Sequence, residues 1–123
     1  MRLPARAIVA LLAAVLSAAA AAELVEWNHA QPLERPVAVP AGKFAEVCGR
    51  LAKGDKVRWT YASRQPLAFN IHYHVGKDVE YPVKQEGSTR ASGEFVAPLD
   101  QDYCWMWTNG AATDASVAVT LRR

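Results

Sequence analysis

The chain has 123 residues, with 14 Lys and Arg, 12 Asp and Glu, and two cysteines. At roughly 100–200 residues per domain, that length makes one domain. Two of the bases, Arg2 and Arg6, lie in an N-terminal stretch without acids, so 12 bases face 12 acids in the remainder. That balance lacks the basic excess of a nucleic-acid binder and gives no strong attraction to anionic lipid.

The N-terminal stretch has its own logic. After Arg2 and Arg6, Ala7 to Leu16 is unbroken apolar sequence and Ser17 to Ala22 is small residues only. This is the order of a secretory signal peptide: charged region, apolar region, small-residue cleavage zone. The apolar run is shorter than the roughly 20 residues of a membrane-spanning helix. The expectation is a signal peptide over 1–22 cut before Glu23, and a periplasmic or secreted protein with no membrane insertion afterwards. No cysteine stands at the expected cut, so nothing points to a lipid anchor.

Residues 23–42 read as an irregular, proline-containing segment. Pro32, Pro36 and Pro40 recur every four residues, which prevents a regular helix. Arg35–Val39 could still lie extended at a sheet edge. From residue 43 to 123 the signal is β throughout. Lys43–Arg50 reads as a strand. Gly54-Asp55 turns the chain into Lys56–Ala62, where Val57, Trp59 and Tyr61 alternate with polar residues. Ser63–Pro66 turns it again into Leu67–Val75, which sets Phe69, Ile71, Tyr73 and Val75 on one face and Asn70, His72 and His74 on the other. Asp78–Gln85, Ala91–Ala97, Asp102–Thr108 and Ser116–Arg122 complete the series, with turn signals at Gly76-Lys77, Gly87-Ser88, Asp100-Gln101 and Asn109-Gly110. Seven or eight short strands at intervals of about 8–12 residues predict an all-β fold, an antiparallel β-sandwich of jelly-roll type or a barrel.

In an exported small domain, Cys48 and Cys104 are candidates for a disulfide. Closing a loop of roughly 57 residues contributes about 4 kcal/mol on the chain-entropy account. The alternative is two free thiols open to soft metals. The stripe Tyr103, Trp105, Trp107 is coupled to this choice by parity. A bridge in the interior exposes the tryptophans as an aromatic platform for a sugar or another planar ligand, whereas a bridge on an outer face leaves them in the core.

Two stretches resemble a GOLD (Golgi dynamics) domain: Val57-Arg58-Trp59-Thr60-Tyr61 followed by Phe69-Asn70-Ile71-His72-Tyr73, and Tyr103-Cys104-Trp105-Met106-Trp107-Thr108-Asn109 with Ser116 soon after. The resemblance implies a compact sandwich used for binding protein or lipid, with Trp59, Tyr61, Tyr103, Trp105 and Trp107 buried. It departs from the family in being a lone exported domain and in carrying a His-x-His.

That His-x-His is the sharpest chemical feature. Residues i and i+2 of a strand share a face, so His72 and His74 can converge on one ion, and neutral imidazole suits zinc, copper, iron or nickel. Glu80, on the next strand, is the nearest carboxylate candidate, and Asp78, His29 and Glu94 are further ones. If the tryptophans point inward, Met106 and Cys104 point outward, and imidazole with sulfur ligands favours copper. The metal set is therefore His72, His74, Glu80 and Met106. The bland alternative is a pair of polar strand positions with no ligand.

The leading functional expectation is an exported, non-catalytic binding protein that takes copper or zinc on the His72/His74 face. The alternative is a GOLD-like module that recognises another cell-envelope protein without metal. A small cupin-like metal enzyme is third. His72-x-His74 with Glu80 and Gly87 approaches the first cupin motif, but the gap before Glu80 is one residue too long and no histidine follows His74. No nucleophile elbow, phosphate loop or H-E-x-x-H is present, and no catalytic residue is assigned.

Overall fold

The computed structural model describes residues 22–24 and 31–123. The strands are β1 (Ala22–Leu24), β2 (Leu33–Val39), β3 (Phe44–Leu51), β4 (Lys56–Val75), β5 (Asp78–Val96), β6 (Gln101–Thr108) and β7 (Ala115–Arg122). The described residues contain no helix, and therefore none long and apolar enough to cross a membrane. The expected leader and His29 fall largely or wholly outside the described residues. β1 straddles the expected cut and pairs in parallel with β3. β2 replaces much of the expected irregular segment. It pairs antiparallel with β7 at one end of the sheet, where Pro36 costs no ladder hydrogen bond on its free side.

Hydrogen bonding runs in the order β1-β3-β6-β4-β7-β2, with β5 along β4. All pairings except β1–β3 are antiparallel. The largest departure from expectation is β4. Lys56–Ala62 and Leu67–Val75, expected as two strands, are one strand of 20 residues. Its first half pairs with β7 from Arg58 to Ser63, and its second half pairs with β6 from Ala68 to His72. The predicted turn Ser63–Pro66 is instead a bulged segment where the strand leaves one half of the sheet for the other. The register to β5 shifts between Ala62 and Leu67. β5 likewise joins two expected strands into one of 19 residues. Gly87 sits at its irregular point with φ of 48°, a conformation that glycine adopts without penalty.

The long β4–β5 hairpin thus belongs to both halves, and the sheet curls until they face each other. Ring contacts join the halves. Phe69 lies 4.8 Å from Trp59 and 4.9 Å from Tyr61, and Phe95 lies 5.0 Å from Tyr103 and 5.8 Å from Trp105. Val57, Leu67, Ile71, Val117, Val119 and Leu121 fill the space between. The aromatic residues expected in the core, Trp59, Tyr61, Tyr103, Trp105 and Trp107, are all buried. Trp59 lies over Gly93, its direct partner across β4–β5.

Candidate metal-binding face

Alternation in β3, β6 and β4 sends one set of side chains inward and leaves the other on the outer face of this half of the sheet. The ladders set the outer set in rows. Cys48 is opposite Cys104, which is opposite His72, and Glu46 is opposite Met106, which is opposite Asn70. Cys48 and Cys104 form a disulfide, with an S–S distance of 2.06 Å. Because the bridge is on the outer face, Tyr103, Trp105 and Trp107 keep the inward positions. The inward choice is realised, and the aromatic-platform alternative does not apply to this stripe.

His72 is the centre of the face. It is buried, at 5% exposure, although alternation alone puts it on the solvent side. The His74 ring stands 5.3 Å away edge-on, and the Tyr81 ring lies 5.8 Å away. The Asn70 amide and the Glu46 carboxylate stand at its two nitrogens. Each nitrogen has a distinct role. Nδ1 lies 2.7 Å from Asn70 Oδ1. An amide oxygen only accepts, so Nδ1 carries the proton. In the neutral ring Nε2 is then a bare acceptor, and it stands 3.5 Å from Glu46 Oε2. Burial pushes the His72 pKa below 6.5, and the neighbouring His74 lowers it further. Burial raises the Glu46 pKa above 4.5, against a smaller lowering by His74. Two acceptors therefore confront each other in a poorly solvated place. The arrangement is satisfied by a proton between them or by a cation.

The structure brings together only part of the expected ligand set. His72, His74 and Met106 share the outer face. His74 is exposed and Met106 half-buried. Glu80 is opposite Tyr73 in the β4–β5 ladder. Directly opposed residues share a face, and Tyr73 packs its ring against the interior Tyr103 at 5.4 Å. Glu80 therefore sits on the other face from His74, whose partner is Val79. The carboxylate that reaches His72 is Glu46, and among the described residues the groups that could hold an ion together are those of Glu46, His72 and Cys104, mutually within 4.8 Å. Cys104 Sγ is committed to the disulfide. Glu46 and Asn70 are legible in retrospect. Pairing Cys48 with Cys104 sets the β3–β6 register and puts Glu46 opposite Met106, two positions along the same face.

No protein-family model matches the chain, and no curated protein matches it. Solved structures do share its fold. The pre-peptidase C-terminal domain of a collagenase from Bacillus anthracis superposes with a TM-score of 0.62 at 10% identity, over 84% of this chain and 96% of that one. The Aeromonas hydrophila protein PliG, a periplasmic inhibitor of g-type lysozyme, gives 0.56 at 13% identity, over 85% and 98%. The mitogen derived from Yersinia pseudotuberculosis gives 0.57 at 8% identity, over 75% and 85%. At such identities the likeness is one of fold, a small sandwich-like all-β domain. It identifies no GOLD domain.

Proposed function

We propose that this chain is an exported, non-catalytic binding domain whose His72, Glu46 and His74 side chains take up a divalent transition-metal ion, copper or zinc, with Met106 as a further donor at the rim. The supporting observation is the buried confrontation of His72 Nε2 and the Glu46 carboxylate at 3.5 Å, with Nδ1 fixed by Asn70. A metal-ligating histidine characteristically donates its other N–H to an oxygen that fixes its tautomer. Nitrogen with carboxylate suits Zn(II) and Cu(II). Export to the periplasm or medium is part of the proposal. It rests on the leader sequence and the disulfide, with a periplasmic protein among those of like fold.

The test is titration calorimetry of tag-free, disulfide-bonded protein with Zn(II) and Cu(II). His72→Ala and Glu46→Gln weaken binding by about tenfold or more, on the scale of losing a ligand or its support, while Glu80→Gln leaves it unchanged. No binding by wild type, or equal binding by the His72 and Glu46 variants, refutes the reading.

A second reading has one observation behind it. Tyr81 is 47% exposed beside His72 and carries Lys84 Nζ 5.1 Å above its ring. An exposed aromatic residue suits a protein partner, and PliG, of like fold, is an inhibitor of a protein. On this reading the chain is an envelope interaction module, and a captured partner survives both chelator and the change of His72 and His74 to alanine.

A further inference from the structure

We propose that the Cys48–Cys104 bridge is the closed form of a second metal site, and that reduction opens a tetrahedral set of two thiolates, the His72 imidazole and the Glu46 carboxylate. The ligand atoms of Glu46, His72 and Cys104 already lie within 4.8 Å of one another. Cys48 Sγ is bonded to the third of them. All four groups occupy one outer face.

The backbone holds this placement whether or not the sulfurs are joined. β3 and β6 are paired without a break from Phe44–Thr108 to Leu51–Gln101, and Cys48 and Cys104 are directly opposed within that ladder. β6 is paired in turn to β4 through Cys104 and His72. Asn70, two residues away on β4, holds Nδ1 of His72 and leaves Nε2 as the nitrogen turned toward Glu46.

The chemistry balances with an external dithiol as reductant. One of its thiolates attacks a bridge sulfur, and the mixed disulfide is resolved by its second thiol. Two electrons pass to the cysteine pair, the bridge becomes two thiols, and the reductant leaves as its own cyclic disulfide. A divalent ion then displaces the two thiol protons. Two sulfurs, one nitrogen and one oxygen form a tetrahedral zinc-type donor set, and thiolates favour soft ions over the nitrogen–oxygen set of the bridged form. Reduction would thus exchange one preference for another at the same His72. The inference shares His72 and Glu46 with the reading above but is read out separately from it.

The experiment is anaerobic titration of the full chain with cobalt(II), before and after reduction by a water-soluble phosphine that is then removed. The reduced protein develops near-ultraviolet sulfur-to-cobalt charge-transfer absorption and binds about 100-fold more tightly than the bridged form, as a gain of two thiolates implies. His72→Ala and Glu46→Gln each weaken the reduced site, and Cys48→Ser with Cys104→Ser abolishes the absorption. The proposal is overturned by absence of the band, by a band and affinity indifferent to His72→Ala and Glu46→Gln, or by loss of the near-ultraviolet circular dichroism of the core on reduction. Binding by the bridged form alone leaves the first reading standing and ends this one. Binding by the reduced form alone does the reverse.

Discussion

Removing the bridge by Cys48→Ala with Cys104→Ala tests whether the core can stand without it. The cysteines are separated by 56 positions, and on the chain-entropy account a loop of that size contributes about 4 kcal/mol. Domains of this size typically have about 5–15 kcal/mol in all. The ladder around the bridge does not depend on it, because β3 and β6 stay paired on both sides and the inward faces of both strands remain buried. The double variant should therefore fold, with a much reduced margin. With urea slopes of about 1–3 kcal/mol/M, the midpoint falls by about 1–4 M. Equilibrium urea unfolding followed by tryptophan fluorescence measures it, with far-ultraviolet circular dichroism as a second probe. A midpoint within a few tenths molar of wild type refutes the loop-closure account. A variant unfolded without urea refutes the claim that the curled sheet is self-supporting.

Gly93→Ala should cost about 1–3 kcal/mol by overpacking, since a Cβ there stands 2.8 Å from Trp59 Cζ2, whereas Gly110→Ala, with nothing within 4 Å, should be far milder. Equal unfolding midpoints for the two variants would contradict that packing. Asn109 is fully buried, donates to Val39 O at 3.0 Å and Thr113 O at 2.9 Å, and accepts from Ala111 N at 3.0 Å. Its change to Ala strands those groups at about 1–3 kcal/mol each if they find no water, and a midpoint unchanged in urea would show that the loop is not pinned there. The metal-free protein also has a signed pH response. Glu46, raised above 4.5 by burial, holds in the folded state a proton the unfolded chain releases, so its contribution to stability is lost as pH rises from 4.5 through the folded value. His72, lowered below 6.5 by burial, acts oppositely, and its contribution is lost as pH falls from 6.5 through its folded value. Glu46→Gln in chelator should therefore gain on wild type between pH 4 and pH 8, and a pH-independent stability difference would remove the burial argument.

The parts of the fold legible in sequence are those governed by alternation alone. Val57, Trp59 and Tyr61 against Lys56, Arg58 and Thr60 fix the inward face of their strand wherever that strand lies. Strand continuity was not legible, because Ser63–Pro66 and Gly87-Ser88 have the composition of turns. Whether such residues reverse a chain or bend a strand depends on which neighbours lie alongside, here β7 before the bulge and β6 after it. The same limit governed the site. His72 and His74 announce themselves by their spacing, but the carboxylate that meets them comes from β3, brought near only through β6. Glu80, close in sequence and across a hairpin, is placed on the opposite face by the register that the Gly76-Lys77 turn sets, which pairs it with Tyr73 and not with a histidine. The most informative residues were the cysteines. A bridge between directly opposed strand positions fixes both the register and the facing of its strands. Cys48–Cys104 on the outer face therefore requires Trp105 and Trp107 inside, and it requires Glu46 beside Met106. The residue pair that closes the chain also determines which side chains can reach His72.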